Sequence, residues 1–385
     1  MKYNVSYLFS YLERVGNYDF NELNFNIIDA LIFANLSYYH FYFMLDKENY
    51  ELTIKEATHI YFLYPELVKK ADIETPRNRF LKVLVRTKRF KDLKIFNFER
   101  EISKKSEKQF CSLSVKISHN TIYVSFSGTD LSIIGWKEDF NLSYLDTIPS
   151  QISAKNYVNK LKLKGIKNLY LGGHSKGGNL ALYASYFSYK RVKNKIVNVF
   201  NFDGPGLNIK VNDEITKNKI ITIVPSMSIF GMVFNNPLDT YIISSSTKGL
   251  LQHDLFSWII DKNNHFIFAT YLSSTSKTLN IAISKYVKDL PKEERKEFIN
   301  LCYLLIKGTK AKDIIEFRSN LVKTLIGLIK TYNKLNEIEK TTIKKCLRLI
   351  IKLLIEESKN FKEEKESREV INIKGESRFD YFKTS

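Results

Sequence analysis

An α/β fold, with a mostly parallel sheet, flanking helices and a C-terminal helical extension, is what this 385-residue chain predicts. Three observations predict it. Apolar runs of strand character alternate with helical ones through the middle of the chain, the pattern of a parallel sheet. A short strand, a serine between glycines and a helix follow one another at 168–184, in Asn168-Leu-Tyr-Leu-Gly-Gly-His-Ser175-Lys-Gly-Gly-Asn-Leu-Ala-Leu-Tyr-Ala184. Past about Thr275 the strands stop and only helical periodicity remains.

Taken in order, residues 1 to about 105 read as mainly helical. The stretch from Asp19 to Tyr38 opens with capping residues and then sets Ile27, Leu31, Ala34 and Tyr38 on one face. The aromatic run Tyr38 to Phe43 reads as core, with His40 packed inside it. From Phe110 the period changes to two. Cys111, Leu113, Val115 and Ile117 alternate with polar residues, His119-Asn120 supplies a turn, and Ile122, Val124 and Phe126 alternate again, giving a hairpin. A helix over 153–165 carries Ala154, Tyr157, Val158 and Leu161 on one side. Leu169 and Leu171 mark the strand before Ser175, and Leu180, Tyr183, Ala184 and Phe187 the helix after it. Further strands are expected over Ile196–Phe202, Ile220–Val224 and Tyr241–Ser245. The domain reading is a catalytic unit over 1–275, a helical extension over 276–356 with helices at 299–305, 321–332 and 343–355, and a charged, disordered tail over 357–385. Helices joined by short polar links usually pack on each other, so a bundle is expected of the extension. Its basic flanks also suit a helix lying on a membrane surface.

Gly173-His174-Ser175-Lys176-Gly177 fits the G-x-S-x-G nucleophile elbow, where a sharp strand-to-helix turn lifts a serine clear of the sheet. A Cβ at either flank would collide with strand or helix. A hydroxyl is a weak nucleophile at neutral pH, so Ser175 needs a histidine to take its proton and an acid to orient that histidine. In α/β-hydrolase order both follow the serine. Of the two later histidines, His253 sits just past the last strand, where a loop can return it to the carboxyl edge. His265 lies in an apolar segment and reads as structural. Asp203 ends the strand after the elbow helix, at the edge where such sheets bind ligands, and is the first choice for the acid. Asp239 and Asp254 stay open as alternatives. The oxyanion donors expected are the backbone N–H of Lys176 and the N–H and hydroxyl of Thr129, on a loop leaving an earlier strand. Trp136 and Asp139 are expected to brace that loop. The apolar stretch Ser228–Phe234 suits a lid or an acyl-chain wall, and equally a buried helix.

These residues carry a resemblance. Phe126-Ser-Gly-Thr-Asp130 with Trp136 and Asp139, then Gly173-His-Ser-Lys-Gly-Gly178, resembles the class three, fungal-type lipases, with patterns F-R-G-T-D and G-H-S-L-G-G. The match is closer to an Mbeg-like bacterial family of lipase-like α/β-hydrolase domains. That family shows F-S-G-T-D, G-H-S-K-G-G-N-L-A, N-F-D-G-P-G and Q-H-D-x-F-x-W, all present here in order, and the likeness spans about Phe20 to Asn300. It implies Ser175 as nucleophile, His253 as base, and Thr129 with Lys176 as oxyanion hole. One departure is plain. Fungal-type lipases carry their acid one strand later, where this chain reads Val224-Pro-Ser-Met227; an acid at Asp203 would resemble the pancreatic-type arrangement.

The expected activity is therefore cleavage of an acyl ester, plausibly a lipid, by a serine hydrolase, with no metal or organic cofactor implied. Three scattered cysteines argue against disulfides and zinc, and for a reducing cytosol. No apolar stretch is long enough to span a bilayer. The formal charge of +19 is spread along the chain, so nucleic-acid binding is not expected, while a peripheral contact with an anionic membrane is compatible with it. The rival reading is a catalytically silent hydrolase-fold module that binds a lipid surface or a protein. Oligomeric state is not legible.

Overall fold

Alternation along single strands explains how the molecule is layered. On Thr121–Phe126 the side chains of Ile122, Val124 and Phe126 enter one apolar cluster, while Tyr123 enters another on the opposite face. On the same side as Tyr123, the Ser125 hydroxyl donates to the carbonyl of Phe33. The pleat thus builds two cores, one on each side of a single sheet.

In the computed structural model, residues 7–44, 50–64, 76–235 and 239–364 are described. The sheet has eight strands, in chain order from edge to edge: β1 Glu51–Thr53, β2 Lys94–Ser103, β3 Lys108–Ser118, β4 Thr121–Phe126, β5 Asn168–His174, β6 Ile196–Phe202, β7 Ile220–Pro225 and β8 Thr240–Ile243. β1 to β4 pair antiparallel; β4 to β8 pair parallel. The described helices of nine residues or more are α1 Tyr7–Val15, α2 Ile27–Leu36, α3 Ile54–Leu63, α4 Pro76–Leu84, α5 Ile133–Asn141, α6 Pro149–Lys160, α7 Lys176–Phe187, α8 Ser274–Asp289, α9 Lys292–Gly308, α10 Leu321–Asn333 and α11 Glu337–Glu364. This is an α/β fold with a mostly parallel sheet, flanking helices and a C-terminal helical extension. No described helix is long and apolar enough to cross a membrane.

α6 and α7 cover one face of the sheet, with Ala154, Val158, Leu180 and Ala181 packed on Leu169, Leu171 and Val199. α1 and α2 cover the other, where Ile28 and Phe33 join Phe200, Phe202 and Trp258. Asn26 caps α2 with a full capping box, and α2 is buried all round. The N-terminal layer is pinned by a buried ion pair, Arg89 to Asp29 at 2.5 Å, both side chains wholly buried. Arg89 also donates to the carbonyls of Leu23 and Asn24, so its charge is fully paired.

Helices predominate among the described residues before 105, but β1 and the ten-residue β2 lie among them, and β2 was not expected. β2 hides because the ladder slips between Phe96 and Glu99, at Asn97 with φ 50°. The slip buries Ile95 and Phe98, three apart, a helical spacing in a strand. At the far end, the stretch expected to be disordered from 357 begins as helix. α11 runs to Glu364, and Glu357 is buried and accepts from Lys285. Residues 365–385 lie outside the described residues.

Candidate active site

β5 ends at His174, and Ser175 turns the chain into α7 with φ 58° and ψ −132°, a left-handed backbone that costs a non-glycine residue of order 1–3 kcal/mol. The surroundings enforce it. The Ser175 N–H donates to the Phe202 carbonyl at 2.9 Å, and the Ser175 carbonyl accepts from Gly178 at 2.9 Å. The flanking glycines are required by contact: a Cβ on Gly173 would lie 2.4 Å from the Gly177 carbonyl carbon, and one on Gly177 would lie 2.1 Å from the Phe126 carbonyl oxygen. The steric reading of G-x-S-x-G therefore holds at both positions.

Asp203 stands one strand over, just past β6, itself at φ 51°. Its Oδ2 accepts from His253 Nδ1 at 2.6 Å, and its carboxyl is 1% exposed. The Ser228 hydroxyl donates to its other oxygen, Oδ1. The structure thus joins Asp203 to the far ring nitrogen of His253 and leaves the other candidates elsewhere. Asp239 pairs with Lys217 at 3.7 Å, just before β8 begins. Asp254 caps the turn after His253 by accepting from the Phe256 N–H. His265 is exposed in a turn, where its N–H donates to Asp261.

The loop bearing His253 is held from several sides. Gln252 accepts from the Met227 N–H at 2.8 Å and donates to the Thr247 carbonyl at 3.1 Å, and buried Trp258 donates to the Gln252 carbonyl at 2.9 Å. Met227 belongs to the segment that lacks a carboxylate, and this bond is what that segment supplies instead. On the acid's side, Asn201 closes the loop after Asp203 by accepting from Gly204 N–H and donating to Gly204 C=O. Asn179, on α7, donates to the Gly206 carbonyl at 2.8 Å and accepts from Gln151 at 2.8 Å. The asparagines of the second and third motifs thus lock the elbow helix to the acid's loop.

His174, beside the serine in the chain, also lies at the site, with its ring centroid 4.6 Å from that of His253. Its Nε2–H donates to the His253 carbonyl at 2.8 Å, and its Nδ1 accepts from the Tyr38 hydroxyl at 2.9 Å. Burial, then the neighbouring His253, holds its pKa well below the ordinary histidine value, so the ring is neutral and this tautomer follows from its partners. Tyr38, read as core, thereby supports the back of the site.

On the oxyanion side, Thr129 follows β4 and its hydroxyl donates to Asp139 Oδ2 at 2.5 Å. The hydroxyl expected as a donor to substrate is therefore engaged, and the backbone N–H is the Thr129 donor that remains for that role. Gly128 beside it admits no side chain, since a Cβ would sit 2.1 Å from the Tyr38 oxygen. Asp139 braces the loop as expected. Burial raises its carboxyl to about 6, against the lowering by Lys176 and by the Thr129 bond. Lys176 contributes more than its N–H. Its ammonium is buried on Glu138 at 3.0 Å and on the carbonyl and amide oxygens of Gln109 at 2.8 and 2.6 Å. Glu138 is completed by Gln109 N–H and by the N–H and hydroxyl of Ser150. This pair ties the Ser175 turn, α5 and β3 together, a structural role sequence reasoning did not find. The rings of Trp136 and Phe140 lie tilted at 49° with centroids 6.3 Å apart.

The stretch 228–234 is a series of turns, and not a buried helix. Phe230 is 41% exposed and its ring lies 5.2 Å from that of His253, which makes it a wall of the open side. A cavity of about 1210 Å³ elsewhere is unrelated to this chemistry: Asn168, Asn198 and Ile220 line it, at the opposite ends of the parallel strands.

The fold defines a protein of the α/β class, with a mostly parallel sheet and a serine at a strand-to-helix turn. Within that class the chain belongs to the Mbeg1-like family, whose model matches residues 84–304, more than half of the chain. Among solved structures, the crystal structure of M37 lipase aligns at 16% identity over 54% of this chain and 69% of that one, with a TM-score of 0.30. No curated protein matches.

Proposed function

We propose that this protein is a serine hydrolase that cleaves an acyl ester, lipid-like in its acyl part, through an acyl-enzyme on Ser175. One observation carries the reading: a buried aspartate bonded to the Nδ1 of a histidine, at the sheet edge where the neighbouring strand leads into a serine at positive φ. In this mechanism Asp203 keeps the proton on Nδ1, so that Nε2 of His253 is the basic nitrogen. Ser175 Oγ adds to the ester carbonyl as Nε2 takes its proton. The negative oxygen accepts from the N–H groups of Lys176 and Thr129. His253 then returns the proton to the leaving alkoxide, which departs as the alcohol. Water attacks the acyl-enzyme with His253 again as base, the acid leaves, and Ser175 is restored. The exposed Phe230 beside His253 supports an apolar acyl group in preference to a charged one.

The test is labelling by a fluorophosphonate probe. Wild-type protein should label covalently at Ser175, and Ser175→Ala should not. Folded wild type that labels no faster than the alanine variant would refute the proposal and leave a silent module.

A further inference from the structure

The C-terminal extension was expected to bury its apolar stripes in a bundle, and α10 does the reverse. Leu321, Val322, Leu325, Ile326 and Ile329 are 66, 73, 56, 47 and 57% exposed. At spacings of one, three and four they form one continuous stripe of the helix. The inward side is small and polar. Thr324 is buried and donates to the Phe317 carbonyl, and Gly327 approaches α9 so closely that a Cβ would lie 2.6 Å from Thr309 Cα.

Charge decides among occupants for that stripe. α10 contains no acidic residue, and Lys323 and Lys330 flank the stripe on one edge. Exposed Lys307, Lys310, Lys312 and Lys334 surround it in the chain, against Asp313, Glu316, Glu337 and Glu339, of which Glu337 pairs with Lys340 and Glu339 accepts from the Asn336 N–H. Asp313 caps the next turn and Glu316 holds Lys323 at 3.3 Å. A second copy would set these lysines against themselves. A bilayer bearing anionic headgroups offers both halves of what the helix presents, an apolar layer and a negative rim.

We infer that α10 docks the protein on an anionic lipid surface, lying in the interface with its apolar stripe in the acyl region. The lead-in to α10 bridges Asp313 to Ser132, on the loop that follows Thr129. The inference does not depend on hydrolysis and is tested on binding alone.

The experiment is flotation of the full-length protein with vesicles of phosphatidylcholine, with and without phosphatidylglycerol. Wild type should float with the anionic vesicles, at least tenfold more than with neutral ones. Leu325→Asp with Ile329→Asp should cut that binding tenfold or more while the circular dichroism spectrum stays unchanged. Lys330→Glu, which leaves the stripe intact, should weaken it severalfold. Wild type that stays unbound overturns the inference. So does a double variant that floats as well as wild type, since binding would then rest on diffuse charge. A wild-type dimer in light scattering that Leu325→Asp with Ile329→Asp dissociates overturns it too, by giving the stripe to a second copy.

Discussion

Replacing Asp203 by Asn keeps the shape of the site and removes one charge. The two carboxylate oxygens have distinct partners, His253 Nδ1 on Oδ2 and the Ser228 hydroxyl on Oδ1. An amide has one oxygen. If it stays with Ser228, the NH2 group faces His253, forces Nδ1 to accept, and moves the ring proton to Nε2, where it cannot deprotonate Ser175. Loss of an orienting acid through the wrong tautomer costs about 10⁴-fold in rate, or ~5 kcal/mol of barrier. The assay is the second-order rate constant of fluorophosphonate labelling, with thermal melts confirming the fold. A sharper form adds Ser228→Ala. Without that hydroxyl, the amide introduced at position 203 is free to turn its oxygen to His253, so the double variant should label faster than Asp203→Asn alone. A folded Asp203→Asn protein that labels within tenfold of wild type would show that Asp203 is not the orienting acid.

Two further outcomes concern the support of the site. Glu138→Ala leaves the Lys176 ammonium buried without its carboxylate and should destabilise the fold by about 3–5 kcal/mol in urea titrations, whereas Lys176→Met with Glu138→Ala should recover part of that loss; equal stability of the single variant and wild type would remove the pair's structural role. Asp139 titrates at about 6 in the fold and near the ordinary 3.8 when unfolded, so the folded state binds its proton more tightly. Its contribution is therefore present below 3.8 and is lost as pH rises through about 6, a loss of ~3 kcal/mol relative to Asp139→Asn across that window. Parallel urea titrations of the two proteins at pH 4 and 7.5 check the sign, and a constant difference would contradict it.

Much of the fold was readable because its signals are local. Alternation at 111–126 fixes a hairpin within the reach of its own residues, and Gly173 is demanded by a contact with Gly177 at the turn itself, although Gly177 in turn answers to the Phe126 carbonyl on β4. Asp203 was legible for the same reason, since it stands at the end of a recognisable strand, whereas His253 lies in a turn well past β8. β2 was lost where a single slipped residue turned a strand's period into a helix's.

What the sequence by itself determined is the sheet from β3 to β8, the elbow, and the short list from which an acid and a base could come. Only the tertiary structure decided which carboxylate meets His253, because Asp203, Asp239 and Asp254 differ by where the folded chain returns and not by their neighbours in the chain. It also revealed His174 behind the histidine loop, Ser228 on the acid and Glu138 on Lys176, all contacts between residues at least 25 apart. The stripe of α10 shows the same limit from the other side. Periodicity says that a helix has an apolar face, but which way that face turns depends on what small residues, here Gly327 and Thr324, allow the neighbouring helix and loop to approach.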